Sequence, residues 1–324
     1  MHFLPKYNTD NRRTLETIMK EQTLNILQAN TQALHGVLWA TDEKPKAILQ
    51  ITHGMTEHIY RYKEFANELC RHGIAVAGFD LRGHGKNLSK TGCATFGEKG
   101  WIDSLNDIQV FSDFLRNKYP DCPHYILGFS LGSFLVREYL NKYDHHFSGA
   151  IIAGTGHQPP AVLSIMMAIV KNQIKSNGFD NTTPLVKQLS FETYNTKFKP
   201  NNTDFDWLCS DEAELQKYIL DNSCADSISS GLFWQLLSSM KYTGSGAAYK
   251  NWKKDMPILL ISGDKDPVGD FGKGVRRVES SMKKAGITSI KTHLLSKARH
   301  DIFHEVNIGC ASQVTQLIEK WINS

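Results

Sequence analysis

Short apolar runs alternate with amphipathic stretches through most of the chain. Residues 47–52, 74–79, 149–153 and 257–261 are mostly apolar runs of strand length, and 289–295 predicts a further strand. Residues 23–27 and 33–39 predict two earlier strands joined by an Asn/Thr-rich turn. Between these runs, apolar positions recur at helical spacing. Phe65, Leu69 and Cys70 share one face of a helix over 62–71, closed by His72-Gly73. Leu105, Ile108, Phe111 and Leu115 mark a helix over 104–119, stopped by Pro120. Two more helices are predicted at 272–285 and 306–322, and residues 1–20 are polar, as loop or short helix.

Strands alternating with helices predict an α/β fold, a mostly parallel sheet covered by helices on both faces. The rhythm breaks from 156 to 255, where helical patterns at 161–175, 211–220 and 231–240 are accompanied by no strand. The expected organisation is an α/β core from 1–155 and 256–324, with 156–255 inserted as a helical cap. No internal repeat or low-complexity tract is present.

Bulk properties narrow the partners. A chain of 324 residues suits one such domain with an insertion, or two domains. The net charge of +4 is small, and no basic run is interleaved with aromatics, so no nucleic acid partner is expected. The slight positive balance leaves room for transient contact with a membrane surface. Six cysteines lie scattered with no C-x-x-C pair, which predicts reduced thiols, no zinc site and a cytoplasmic protein. The N-terminal residues lack the apolar core of a signal peptide. The longest strongly apolar run, 161–170, is too short to span a bilayer.

The candidate chemistry centres on Gly128-Phe129-Ser130-Leu131-Gly132, between a strand pattern and a helix pattern. In that context G-x-S-x-G predicts a strained turn that lifts Ser130 off the sheet edge, with glycines giving room at its flanks. The Leu131 N–H then lies at a helix N-terminus, where it can meet negative charge. A serine nucleophile also needs an acid and a base, which follow it in the order acid, histidine on this kind of sheet. Asp264 and Asp266 both follow the strand at 257–261, and Asp266 is favoured because it lies deeper in the loop. Asp264 suits a turn residue. After the next strand, His300 precedes the last helix, whereas His304 falls within that helix and His293 within the strand. A second backbone donor for an oxyanion is expected from His53-Gly54-Met55, with Met55 the donor and His53 structural. Glu57 and His58 suit either a brace for that loop, through Arg61 or a histidine near the last helix, or solvated charges. The glycine-punctuated Asp80–Gly85 loop predicts a structural turn with Asp80 and His84 bonded locally.

His-Gly-Met-Thr-Glu-His, Phe-Asp-Leu-Arg-Gly-His-Gly, Gly-Phe-Ser-Leu-Gly, Gly-Asp-Lys-Asp-Pro-Val and Ala-Arg-His occur in that order. Together they resemble the α/β-hydrolase superfamily, in its monoacylglycerol lipase, lysophospholipase and serine aminopeptidase-like branch, over about 45–155 and 255–322. The resemblance implies Ser130, Asp266 and His300 as the catalytic triad, Met55 and Leu131 as oxyanion-hole donors, and no metal or organic cofactor. Within the cap, Lys197-Phe198-Lys199-Pro200 and Phe205-Asp206-Trp207-Leu208 are similar to segments of bacterial members. Asp221-Asn222-Ser223-Cys224 departs from a more apolar Asp-Pro-Leu-Cys-like stretch, and no long apolar lid of the mammalian monoglyceride kind is evident.

The expected function is hydrolysis of a carboxylic ester, on a lipid-like monoester such as a monoacylglycerol or lysophospholipid, through an acyl-serine intermediate. Residues 161–170 are apolar nearly all round, so much of the segment is expected to be buried or membrane-facing, and it suits either an acyl channel or an ordinary cap helix packed on the main domain. The alternatives are a small-ester carboxylesterase, or an aminopeptidase or amidase in which Asp206, Asp211, Glu212 or Glu214 binds a substrate amine. A non-catalytic module on the same fold is disfavoured because no triad position is lost.

Overall fold

The computed structural model describes residues 19–26, 33–143 and 146–324. Most of the polar N-terminal stretch and the Asn/Thr-rich turn at 27–32 lie outside the described residues. The strands are β1 (Lys20–Ile26), β2 (Leu34–Ala40), β3 (Ala47–Thr52), β4 (Ile74–Phe79), β5 (His124–Phe129), β6 (Gly149–Ala153), β7 (Ile258–Gly263) and β8 (Ile290–Leu295). They form one eight-stranded sheet in the order β1-β2-β4-β3-β5-β6-β7-β8. The pairings β1–β2 and β2–β4 are antiparallel, and the rest are parallel.

The central strands β3, β4, β6 and β7 are buried along their whole length, as parallel strands covered on both faces must be. Successive side chains leave on opposite faces. Leu49, Ile151 and Leu259 pack with α1 (Lys63–Arg71) and the closing helix α8 (Cys310–Ile322). Ile48, Ile152 and Leu260 pack in the other cluster, with α2 (Gly100–Lys118), α3 (Leu131–Lys142) and α7 (Lys273–Lys284).

Residues 156–255 contribute no strand to this sheet. They carry α4 (Pro160–Asn177), short helical turns over 184–198, α5 (Glu212–Leu220) and α6 (Ser230–Thr243). Asp211 caps α5 by accepting from Ala213 N and Glu214 N. Two expectations are corrected. A two-residue strand, Ser227–Ile228, occurs in this block and pairs with Cys93–Ala94. So short a bridge carries no periodicity to recognise. The closing helix begins at Cys310 rather than 306, because Gly309 at φ 70° breaks the helical path.

Candidate active site

Ser130 is the single residue between β5 and α3, with φ 50° and ψ −117°. A non-glycine residue there is strained, and the surrounding packing holds it. A Cβ on Gly128 would lie 2.4 Å from Gly132 O, and one on Gly132 only 2.0 Å from Thr52 O. The turn is thus pressed against the end of β3, which explains both glycines. Ser130 N donates to Ala153 O at 3.0 Å, and Ser133 N and Oγ donate to Ser130 O at 2.8 and 2.6 Å.

His300 reaches the serine from the loop after β8. Its Nε2 lies 2.9 Å from Ser130 Oγ, and its Nδ1 lies 2.9 Å from Asp266 Oδ1. A carboxylate only accepts, so Nδ1 carries the proton and the Nε2 lone pair faces the serine hydroxyl. Asp266 is fully buried in the loop after β7. It also accepts from Val268 N on Oδ1 and from Ser262 Oγ on Oδ2, both at 2.9 Å. Burial works against a charged His300, yet the Asp266 charge and hydrogen bond outweigh it and raise its pKa. Asp264 accepts from Lys297 N at 2.8 Å, a bond to the loop after β8 rather than to the backbone of its own turn. His293 is exposed on β8 and takes no part in this arrangement.

The loop after β3 is held from several sides. His53 Nδ1 donates to Gly54 O at 2.8 Å and its Nε2 accepts from Leu81 N at 2.9 Å, so both ring nitrogens are occupied. Burial keeps this ring well below the usual histidine range, hence neutral, and its role is structural. Asp80 accepts from Ile59 N and Lys86 N, and His84 bonds Arg82 O, as the turn reading of that loop expects. Glu57 accepts from Gly54 N at 2.5 Å and from Tyr62 Oη at 2.9 Å. Arg61 donates to Asp301 at 2.7 Å, and His304 bridges Asp301 and Arg61 O at 2.8 and 3.0 Å. Of the two readings of the Glu57 region, the brace is the one present. Burial raises the Glu57 pKa. Burial also opposes ionisation of Asp301, but His304 and Arg61 prevail and hold it at about 2. Met55 begins the turn beside Ser130, and Leu131 opens α3, where N–H groups have no carbonyl within the helix.

The cavity at Ser130 and His300 has a volume of about 30 Å³, room for roughly one water. Its outer wall is Phe191, Phe205, Trp207, Leu208 and Tyr218. No residue of 161–170 lines it, so the acyl-channel reading of that segment is not supported. On α4 only Leu163 and Val170 are buried, while Val162, Ile165 and Ile169 face outward. The amine-binding candidates are also placed elsewhere. Asp206 accepts from Asn202 N and Thr203 N, Asp211 caps α5, and Glu214 pairs with Lys217.

The family described as Serine aminopeptidase, S33 matches residues 43–307. The chain belongs to this family. It is 24% identical to human monoglyceride lipase over 313 residues, 92% of this chain and 93% of that protein. It is 27% identical to an uncharacterised abhydrolase domain-containing protein of Dictyostelium discoideum over 257 residues, 77% of this chain but 24% of that protein. The chain spans less than half the length of the first three curated relatives it matches. Among solved structures, a thermostable carboxyl esterase of Bacillus coagulans in complex with glycerol superposes with a TM-score of 0.85 at 25% identity, covering 94% of this chain and 99% of that one. The chain therefore has the α/β-hydrolase fold.

Within this S33 member, the polar 221–224 segment has a structural task. Asp221 Oδ2 pairs with His58 Nε2 at 2.7 Å, and Ala225 N donates to Thr56 O at 3.0 Å. The 221–225 segment thereby grips the loop that carries Met55. His58, Asp221 and Cys224 are the one group among the described residues with ligand atoms close enough to suggest a metal, all within 4.8 Å. The Arg61 guanidinium beside Cys224 and the existing His58–Asp221 bond make it a poor cation site. All six cysteines are free. Among the described residues no helix is long and apolar enough to cross a membrane.

Proposed function

We propose that this chain is a serine hydrolase of carboxylic esters acting through an acyl-Ser130 intermediate. Residues 156–255 act as a cap over the core of 1–155 and 256–324. The observation that carries the reading is the continuous path Ser130 Oγ, His300 Nε2, His300 Nδ1, Asp266 Oδ1, with both gaps 2.9 Å. Ser130 Oγ bonds to the ester carbonyl carbon as its proton passes to His300 Nε2. Asp266 offsets the imidazolium charge. The N–H groups of Met55 and Leu131 hold the oxyanion, each donor contributing about 3 kcal/mol to the transition state. The bond to the alcohol oxygen then breaks, and the proton moves from Nε2 to that oxygen. Water repeats the sequence and frees the acid.

The substrate class we favour is a lipid-like monoester. Three observations support it. Human monoglyceride lipase aligns over nearly the whole chain. In the chemistry of its lining, not in the roughly 30 Å³ it encloses, the cavity combines the apolar Phe191, Phe205, Trp207 and Leu208 with the polar Thr56, Arg61 and Tyr218, the character that suits an acyl chain and a hydroxylated head. The exposed part of α4 carries Val162, Ile165 and Ile169 on one flank and Lys171 and Lys175 on the other, an apolar and a basic side such as a helix resting on an anionic lipid surface presents. An aminopeptidase needs a free carboxylate for the substrate amine, and Asp206 and Asp211 are committed to backbone donors.

The test is hydrolysis of p-nitrophenyl esters from acetate to palmitate beside aminoacyl p-nitroanilides, with Ser130→Ala as control. The expected optimum lies at eight carbons or more and vanishes in the variant. Activity confined to acetate and butyrate points to a small-ester hydrolase. Preference for the anilides overturns the ester reading.

A further inference from the structure

The imidazole of His300 is flanked by two aromatic rings. Phe129, the residue before the nucleophile, lies 5.0 Å away between centroids at an interplanar angle of 34°. Trp207, from the cap, lies 5.2 Å away at 33°. The second contact is registered residue against residue. The Arg299 guanidinium donates to Asp206 O and Cys209 O, and Asp301 N donates to Leu208 O at 2.7 Å. The residues on either side of His300 are thus tied to residues on either side of Trp207. Trp207 N is fixed in turn by Asn195 Oδ1 at 3.0 Å.

The indole is not retained for a hydrogen bond within the fold. Trp207 is 6% exposed, and its Nε1 is buried without a partner among the described residues. A buried donor left unmade is a structural cost that phenylalanine would avoid. What tryptophan offers instead is the strongest aromatic face for a neighbouring cation. A cation forms beside it when His300 takes the Ser130 proton in the reaction, and when the resting imidazole is protonated at acid pH.

Resting on the ester-hydrolase reading above, we infer that Trp207 is a positioning residue for His300. Its ring keeps the imidazole in line between Ser130 and Asp266 and stabilises the imidazolium of the transition state more than the neutral ring of the resting enzyme. The other charged and titratable groups that face His300 are Asp266 from the loop after β7, Asp301 on its own loop, and Glu57 from the loop after β3. Arg61 and His304 are bound to Asp301, and Tyr194 from the cap lies near Asp266. None of these is altered by changing Trp207, so a change in His300 titration reports the ring.

The experiment compares Trp207→Phe and Trp207→Leu in the full chain, with kcat and KM measured across pH on a p-nitrophenyl ester. The acid limb of kcat/KM follows the free-enzyme His300. Loss of the ring in Trp207→Leu is expected to move that limb down by about half a pH unit and to lower kcat roughly threefold to tenfold, with KM within about twofold. Trp207→Phe recovers part of both effects and melts no lower than wild type. It carries the test if the leucine variant fails to fold. An acid limb that stays in place, or moves up, while kcat falls overturns the inference, and a Trp207 that merely packs gives that result. Wild type that neither hydrolyses esters nor takes a fluorophosphonate label on Ser130 overturns the ester reading instead, so the two failures are distinct.

Discussion

Replacing Asp266 by asparagine separates charge from geometry at this site. In the structure Asp266 Oδ1 receives both His300 Nδ1–H and Val268 N–H, while Oδ2 receives the Ser262 hydroxyl. An asparagine fits this pattern in one orientation. The Val268 N–H admits only oxygen at the first position, and the Ser262 oxygen can accept from an amide NH₂ at the second. His300 therefore keeps its tautomer, with Nε2 still open toward Ser130. What disappears is the negative charge opposite the forming imidazolium. At contact range and an effective dielectric near 20, that charge pair is worth up to about 4 kcal/mol. The expected loss in kcat is about 10²–10³, short of the roughly 10⁴ seen when an isostere also imposes the wrong tautomer. The acid limb of kcat/KM should move to lower pH, because Asp266 raises the His300 pKa against the opposing effect of burial. Stopped-flow acylation and a pH series with a p-nitrophenyl ester measure both. A loss below tenfold, or an acid limb that moves up, refutes the reasoning.

Three further outcomes are expected. Gly132→Ala places a Cβ 2.0 Å from Thr52 O, so β3 and α3 must part; a destabilisation of about 1–3 kcal/mol is expected by denaturant titration, and an unchanged midpoint refutes the close approach. Arg61→Met leaves Glu57 buried without its cation and Asp301 with His304 alone, and should cost about 3–5 kcal/mol near neutral pH. Asp301 titrates near 2 in the fold, below the ordinary carboxyl value of 3.8, so its contribution is present above about pH 4 and lost as pH falls toward 2; the stability gap between Arg61→Met and wild type, measured by denaturant titration, should therefore narrow as pH falls through that range. Ile165→Asp, at a position 64% exposed, should slow hydrolysis of a monoester in anionic vesicles severalfold and leave a dissolved short-chain ester within about twofold; equal effects on both refute the surface-contact reading of α4.

The elements that bring Ser130, Asp266 and His300 together were legible in the sequence because their signals are local. Gly128 and Gly132 mark a close approach that any serine elbow of this type requires, and Asp266 and His300 each follow an apolar strand in a fixed chain order. The sheet was legible for the same reason, since buried parallel strands are short apolar runs. Tertiary partners leave no such trace. Nothing within 205–208 announces that Trp207 will lie against His300, because that contact depends on Arg299 and Asp301 reaching the cap backbone. Residues 161–170 misled for a complementary reason. Their apolar character fits a buried or a membrane-facing helix or an acyl channel alike, and composition does not choose among them; Val162, Ile165 and Ile169 point outward.

Chemistry and selection are tied together in this molecule. The His300 loop is bonded to 206–210 through Arg299, Asp301 and Glu305, which receives both Ser210 N and Ser210 Oγ. The loop bearing Met55 is bonded to 218–225 through Thr56 and His58. The same cap segments supply Trp207, Leu208 and Tyr218 to the cavity wall. A side chain that shapes the cavity is therefore one or two residues from a bond that holds the loop of His300 or that of Met55. Substitutions in 205–225 made to change the preferred ester should alter kcat as well as KM, whereas changes at Phe191, outside both sets of bonds, should act mainly on KM. That split, measured over a chain-length series, distinguishes a cap that only covers the site from one that also holds it in register.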